Sequence, residues 1–155
     1  MHTDTLEKYL HQHIPLSRAM EVSVVSLNEH RVVLSAPLQP NINHREAVFG
    51  GSATTLAILA AWSLLYTRLQ IDGIGCRLVI QRNTMTYDRP MTGSFTATAQ
   101  LADDQDWSRF TRTLVRRGKA RCTVDALLGF EGEVAGRFSG EFVALGDAPD
   151  PAGNT

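Results

Sequence analysis

At 155 residues, with 43% apolar and 20% charged residues, the chain has the composition of one globular domain that can bury a full core without cross-links. A formal net charge of -1 supplies no overall field for nucleic acid. Two cysteines, Cys76 and Cys122, lie in strand-like stretches with no CxxC or Cys/His grouping, which argues against a metal site and for two reduced core thiols.

The start, "MHTDTLEKYLHQH", has no signal-like apolar run, and the longest apolar stretch is broken by Ser63 and Arg68 and is too short to span a bilayer. A cytoplasmic protein with no membrane contact is expected. Asp4 and Glu7 mark the start of a short amphipathic helix with Leu6, Tyr9, Leu10 and Ile14 on one face, limited by Pro15. His11 and His13 are two apart and point to different faces, as solvated residues do. "MEVSVVSL" and "RVVLSAPL" read as two strands around a tight turn, the second closed by Pro37 and Pro40. A polar loop over 41–49 leads into a long helix from about Ser52 to Leu69. After Gly73 the period changes to two: 75–89 reads as one long strand ended by Pro90, and "SFTATAQLA" alternates cleanly. "DDQDWSRFTRTLVRRG" returns to helical spacing, with aspartates at its start, arginines at its end and Gly118 just past it. "KARCTVDALL" and "VAGRFSGEFVAL" are two further strands joined around "GFEGE". The expectation is a single α+β domain over 1–145 with a mainly antiparallel sheet, followed by a disordered tail over 146–155.

Two features single out the middle of the chain. From Ser52 to Tyr66 only Ser52, Thr54, Thr55 and Ser63 are polar, so the helix must be covered on every face. One sheet covers one side; a second copy of the domain is the simplest cover for the rest, which predicts a homodimer. The second feature is the loop "NINHREAVFGG", which sets the densest polar cluster against the start of that helix. The first N–H groups of a helix have no partner within it and carry partial positive charge. Gly50-Gly51 has no side chain to shield them, so these amides could stabilise a developing oxyanion. The same dipeptide would also serve a loop that merely turns tightly into a helix.

On these residues the chain resembles the hotdog fold, in which a curved antiparallel sheet wraps around a long central helix and two subunits pair side by side. Many hotdog thioesterases carry an asparagine six residues before a His-Gly-Gly at the start of that helix; here Asn43 lies six residues before Phe49-Gly50-Gly51. The longer string "NxNHxxxxFGGS" and the segment "RRGKARCTVDA" are similar to a thioesterase-like subgroup that includes malonyl-acyl carrier protein decarboxylases and also occurs fused behind an acetyltransferase domain. The resemblance covers about residues 5–145. It implies Asn43, Gly50 and Gly51 as the groups acting on a thioester carbonyl, with Phe49 and Ser52 beside the substrate. One departure matters. Hydrolytic relatives often place an Asp or Glu about two turns beyond the Gly-Gly; here Ala57, Ile58, Leu59 and Ala60 fill that part, and Glu46 and Asp88 are the nearest acids by position.

Thioester hydrolysis needs a nucleophile or a base for water, whereas decarboxylation of a malonyl thioester needs donors aimed at the enolate oxygen. The missing carboxylate therefore favours decarboxylation of malonyl-acyl carrier protein to the acetyl form. An acyl-CoA or acyl-carrier-protein thioesterase and a non-catalytic acyl-binding module are the alternatives. Around this centre Asn41 is a substrate contact or a loop brace, His44 a proton donor or a surface residue, Arg45 a partner for a carboxylate or phosphate, and Glu46 the base that a hydrolase would use. Arg109, Arg112, Arg116, Arg117, Lys119 and Arg121 form a basic cluster, either a solvated face or a docking patch for coenzyme A phosphates or an acidic carrier protein. Neither a cofactor nor nucleic acid is expected.

Overall fold

The computed structural model describes residues 1–146, with elements in the order α1 (Thr3–His13), α2 (Pro15–Ala19), β1 (Ser23–Leu27), β2 (Val32–Ala36), α3 (Gly50–Ile71), β3 (Cys76–Tyr87), β4 (Phe95–Leu101), α4 (Trp107–Arg117), β5 (Lys119–Phe130) and β6 (Glu133–Gly146). The six strands form one sheet in the order β1-β2-β4-β5-β6-β3, and every pairing is antiparallel. The alternation read from the sequence puts Phe95, Ala97 and Ala99 of β4 and Ala120, Cys122, Val124, Ala126 and Leu128 of β5 on the inner face, all buried. That face packs on α3, whose Leu56, Ala57, Ala60, Ala61, Leu64 and Leu65 are fully or almost fully buried. Strand β3 lies at one edge of the sheet, as its length and mixed pattern suggest.

Several boundaries differ from the sequence reading for identifiable reasons. Pro15 does not simply end the first helix; it occupies the first turn of α2, where its missing N–H costs nothing. Helix α1 starts after His2 and has no side-chain cap, so Asp4 is not its N-cap. Its Glu7 instead accepts the backbone N–H of Val24 at 2.8 Å, tying α1 to the sheet. The β5–β6 connection is a two-residue turn, Glu131-Gly132, with both residues at positive φ (51° and 78°), so the strands run further than "GFEGE" suggests. Gly146 belongs to β6, where its N–H donates to Gly118, although the pattern placed it in the tail. The remaining tail, from 147 onward, lies outside the described residues.

The central helix is also not buried on every face within one chain. Thr54, Ile58, Trp62 and Tyr66 recur at four-residue spacing and are only half-buried. Tyr9 of α1 stacks on Tyr66 at 4.7 Å and approaches Trp62 at 6.0 Å, covering part of that stripe. A single curved sheet has no second layer to cover the rest.

Candidate active site at the start of the central helix

The loop before α3 is built by its two asparagines, which do different things. Asn41 is 2% exposed, and its amide nitrogen donates to the carbonyls of Met20 (3.0 Å) and Pro37 (2.8 Å). Its own carbonyl accepts the N–H of Phe49 at 2.7 Å. It braces the loop against the end of α2 and the end of β2, and it does not reach the cavity described below.

Asn43 staples the loop locally. Its side-chain oxygen accepts the N–H groups of Arg45 (2.8 Å) and Ala47 (3.1 Å), and its backbone N–H donates to Ala47 at 2.8 Å. These two donors fix which end of the amide is oxygen. Asn43 lines a cavity of about 410 Å³, and with its oxygen taken by two backbone donors its amide nitrogen keeps two N–H groups to offer. The tight loop forces Glu46 to φ 61° and leaves His44, Arg45 and Glu46 exposed at its tip, off the cavity wall.

Val48 N–H donates to Met91 at 2.8 Å, and Phe49 then starts α3 with no side-chain cap. The first intrahelical bond is Ala53 N–H to Phe49, so the N–H groups of Gly50, Gly51 and Ser52 precede the ladder. The two glycines have separate reasons. Gly50 lines the cavity, and a Cβ there would lie 3.4 Å from the Tyr87 hydroxyl. At Gly51 a Cβ would lie 2.5 Å from the Phe49 ring. Its bare backbone therefore makes room for the Phe49 ring. Ser52 is half-buried and also off the cavity wall.

Ala53, Met91, Leu128 and Ala135 supply apolar wall, while Tyr87, Asp88 and Arg89 enter from the end of β3. Nothing in the local pattern selects Tyr87 or Arg89, because a contact such as that of Tyr87 with Gly50, across 37 residues, cannot be read from it. Tyr87 reaches α3: its hydroxyl lies 2.6 Å from the Thr54 hydroxyl and 3.0 Å from the Gly50 carbonyl. Asp88 is held through both oxygens by Arg137, at 3.1 and 3.2 Å, and Arg89 pairs with Glu133.

Arg116, Arg117 and Lys119 are not brought to this cavity. They are exposed at the C-terminal end of α4 and the start of β5, whereas the cavity touches Leu128 near the other end of that strand. At about 3.3 Å per residue, roughly 30 Å of strand separates the two. The groups with shifted pKa values also lie away from the cavity. Burial lowers that of Arg68, whose guanidinium sits 4.2 Å over the Trp107 ring, and pushes the Cys122 thiol up to about 12. Among the described residues no cluster of three or more His, Cys, Asp or Glu could hold a metal, and no helix is long and apolar enough to cross a membrane.

The family model described as "Putative thioesterase (yiiD_Cterm)" matches residues 3–146. The chain belongs to this thioesterase-like family. Among solved structures, a protein of unknown function from Chlorobaculum tepidum is 28% identical, with 94% of each chain covered and a TM-score of 0.87. A putative thioesterase from Shewanella oneidensis is 25% identical over 92% of this chain and 96% of its own, with a TM-score of 0.82. A probable thioesterase from Pseudomonas aeruginosa shares the fold at 21% identity, over 95% and 97% of the two chains, with a TM-score of 0.81. The architecture is thus the hotdog fold, and the family is one of acyl-thioester enzymes. This thioesterase-like chain has no carboxylate anywhere on α3; Asp88 is the acid on its cavity wall, brought in from β3.

Proposed function

We propose that the cavity at the start of α3 binds a malonyl thioester and decarboxylates it to the acetyl thioester, in the cytoplasm, for the initiation of fatty-acid synthesis. The observation that carries this reading is the pairing of free donors with the absence of a free base. Asn43 and Gly50, each with N–H groups that no acceptor among the described residues takes, line one cavity, and the acid on its wall has both oxygens engaged by Arg137. Two such donors suit the oxygen of a thioester enolate, and each is worth about 2.7–4 kcal/mol of barrier when removed. Loss of carbon dioxide needs no activated water.

Hydrolysis is the second reading, favoured by the family description and by Asp88, the one wall residue that could serve as a base if Arg137 released it. Following carbon dioxide and free thiol separately from malonyl and acetyl thioesters distinguishes the two. Carbon dioxide without thiol is the expected result; thiol from both substrates would replace decarboxylation with hydrolysis, and binding with neither product would leave a non-catalytic module.

The carrier reading rests on geometry as well. Among the described residues strand β3 pairs only with β6, and the Ile58–Trp62–Tyr66 stripe is half-open. Pairing β3 with its two-fold mate would cover that stripe and bring the basic end of a second copy toward the cavity, placing Arg116, Arg117 and Lys119 where an acidic acyl carrier protein or coenzyme A would dock. Light scattering should give a dimer; a stable monomer at micromolar concentration would contradict this assembly.

A further inference from the structure

We infer that Tyr87 is the acid that protonates the α-carbon once carbon dioxide has left, an assignment that rests on the decarboxylation reading. Breaking the bond between the α-carbon and the carboxylate leaves its electron pair on an enolate, and the reaction is complete only when a proton reaches that carbon. The sequence offered His44 for this step, but His44 is exposed at the loop tip and off the cavity wall.

Of the polar side chains on the wall, Arg89 is a cation that does not give up its proton in proteins, Asp88 is engaged by Arg137, and Asn43 is an amide. The Tyr87 hydroxyl remains. It sits 3.0 Å from the carbonyl of Gly50, and Tyr87, Gly50 and Asn43 line the same cavity, so a substrate held there meets both the donors and the hydroxyl.

The proton inventory is consistent with this role. A tyrosine hydroxyl carries one proton. With that proton directed to the Gly50 carbonyl, the bond of 2.6 Å to Thr54 must be donated by the threonine hydroxyl. Thr54 thus backs Tyr87 as a second donor. In the proposed step the Tyr87 O–H bond breaks and leaves its electron pair on the phenolate; the C=C pair of the enolate takes the proton to form the new C–H bond, and the oxygen lone pair re-forms the carbonyl. The phenolate left behind is stabilised by Thr54 and regains a proton from solvent, to which Tyr87 is 55% exposed. The sum is malonyl thioester anion plus one proton giving acetyl thioester and carbon dioxide.

Tyr87 could instead be only a pin between β3 and α3, so the test reads the origin of the proton as well as the rate. Wild type and Tyr87→Phe are given malonyl-pantetheine in an equal mixture of H₂O and ²H₂O. Carbon dioxide release is timed, and the isotopic composition of the product methyl group is read by mass spectrometry. The expected result is a fall in kcat of roughly a hundredfold, with an altered hydrogen-to-deuterium ratio because water replaces tyrosine as the donor. An unchanged ratio, whether or not the variant is slower, overturns the assignment and leaves Tyr87 a pin. Wild type that releases thiol and no carbon dioxide removes the decarboxylation reading itself, a separate outcome from any failure of Tyr87.

Discussion

The two ends of α3 are treated oppositely. At its C-terminal end nearly every group is partnered: Asp72 N–H returns to Arg68, Ile74 N–H to Leu69, Trp107 donates to Asp72 at 2.7 Å, and Arg68 stacks on the Trp107 ring. At its N-terminal end no side chain caps the helix, and the adjoining Asn43, whose amide oxygen is taken by two backbone N–H groups, lines a cavity with its amide N–H groups unspent. A capped end costs nothing to bury and does no chemistry; an uncapped end retains donors for something that is not part of the chain. The perturbed groups, Tyr66, Arg68 and Cys122, lie away from the cavity: burial among packed side chains is the largest cause of each shift, so perturbation here marks packing and not a reactive site.

The sharpest break in this contrast is Asn43→Ala, which should lower kcat by about a hundredfold or more while the protein stays folded. Glu46→Gln on the same loop should do little, because that side chain is off the cavity; a loss as large as for Asn43→Ala would restore Glu46 as a base. Gly51→Ala comes next. Its Cβ would displace the Phe49 ring, costing about 1–3 kcal/mol of stability by overpacking and roughly tenfold in kcat through a shifted helix start. Unfolding in urea and steady-state kinetics measure both.

Changes at the other end should leave turnover intact. Replacing Arg116 and Arg117 by Ala should raise KM for a carrier-bound substrate a few-fold and flatten its salt dependence, with kcat unaltered; an unchanged KM would mean a solvated face. The smallest effect concerns Cys122. Burial raises its pKa in the folded state from 9.0 to about 12, so the fold holds the neutral thiol more tightly than the unfolded chain does. That contribution is fully present below about pH 9 and is lost as pH rises from there toward 12. Stability measured in urea should fall less steeply over this range in Cys122→Ala than in wild type.

Much of the fold was legible because period-two and helical patterns are local. β4, α4 with its Gly118 cap, and the edge strand β3 follow directly from their residues. The site was legible only in part. Asn43 and Gly50 could be found because both lie in one short loop before one helix. The separate reasons for Gly50 and Gly51 could not, since the ring that crowds Gly51 is placed by a backbone turn. Asp88 could be named only as a nearby acid, and Tyr87 and Arg89 not at all, because all three arrive from the end of β3 and their approach to α3 is not written in their own stretch. Asn41 shows the converse: two asparagines that look alike in sequence differ because one faces the carbonyls of Met20 and Pro37 and the other faces a cavity.

The central claim is that the start of α3 polarises a thioester carbonyl, and the infrared stretch of that bond reports it directly. Acetyl-pantetheine labelled with ¹³C at the carbonyl should show a lower C=O frequency when bound to the wild-type protein than in water. The shift should shrink in Asn43→Ala and persist when Arg116 and Arg117 are replaced. A bound carbonyl whose frequency matches that in water, or whose shift survives Asn43→Ala in full, would contradict the account.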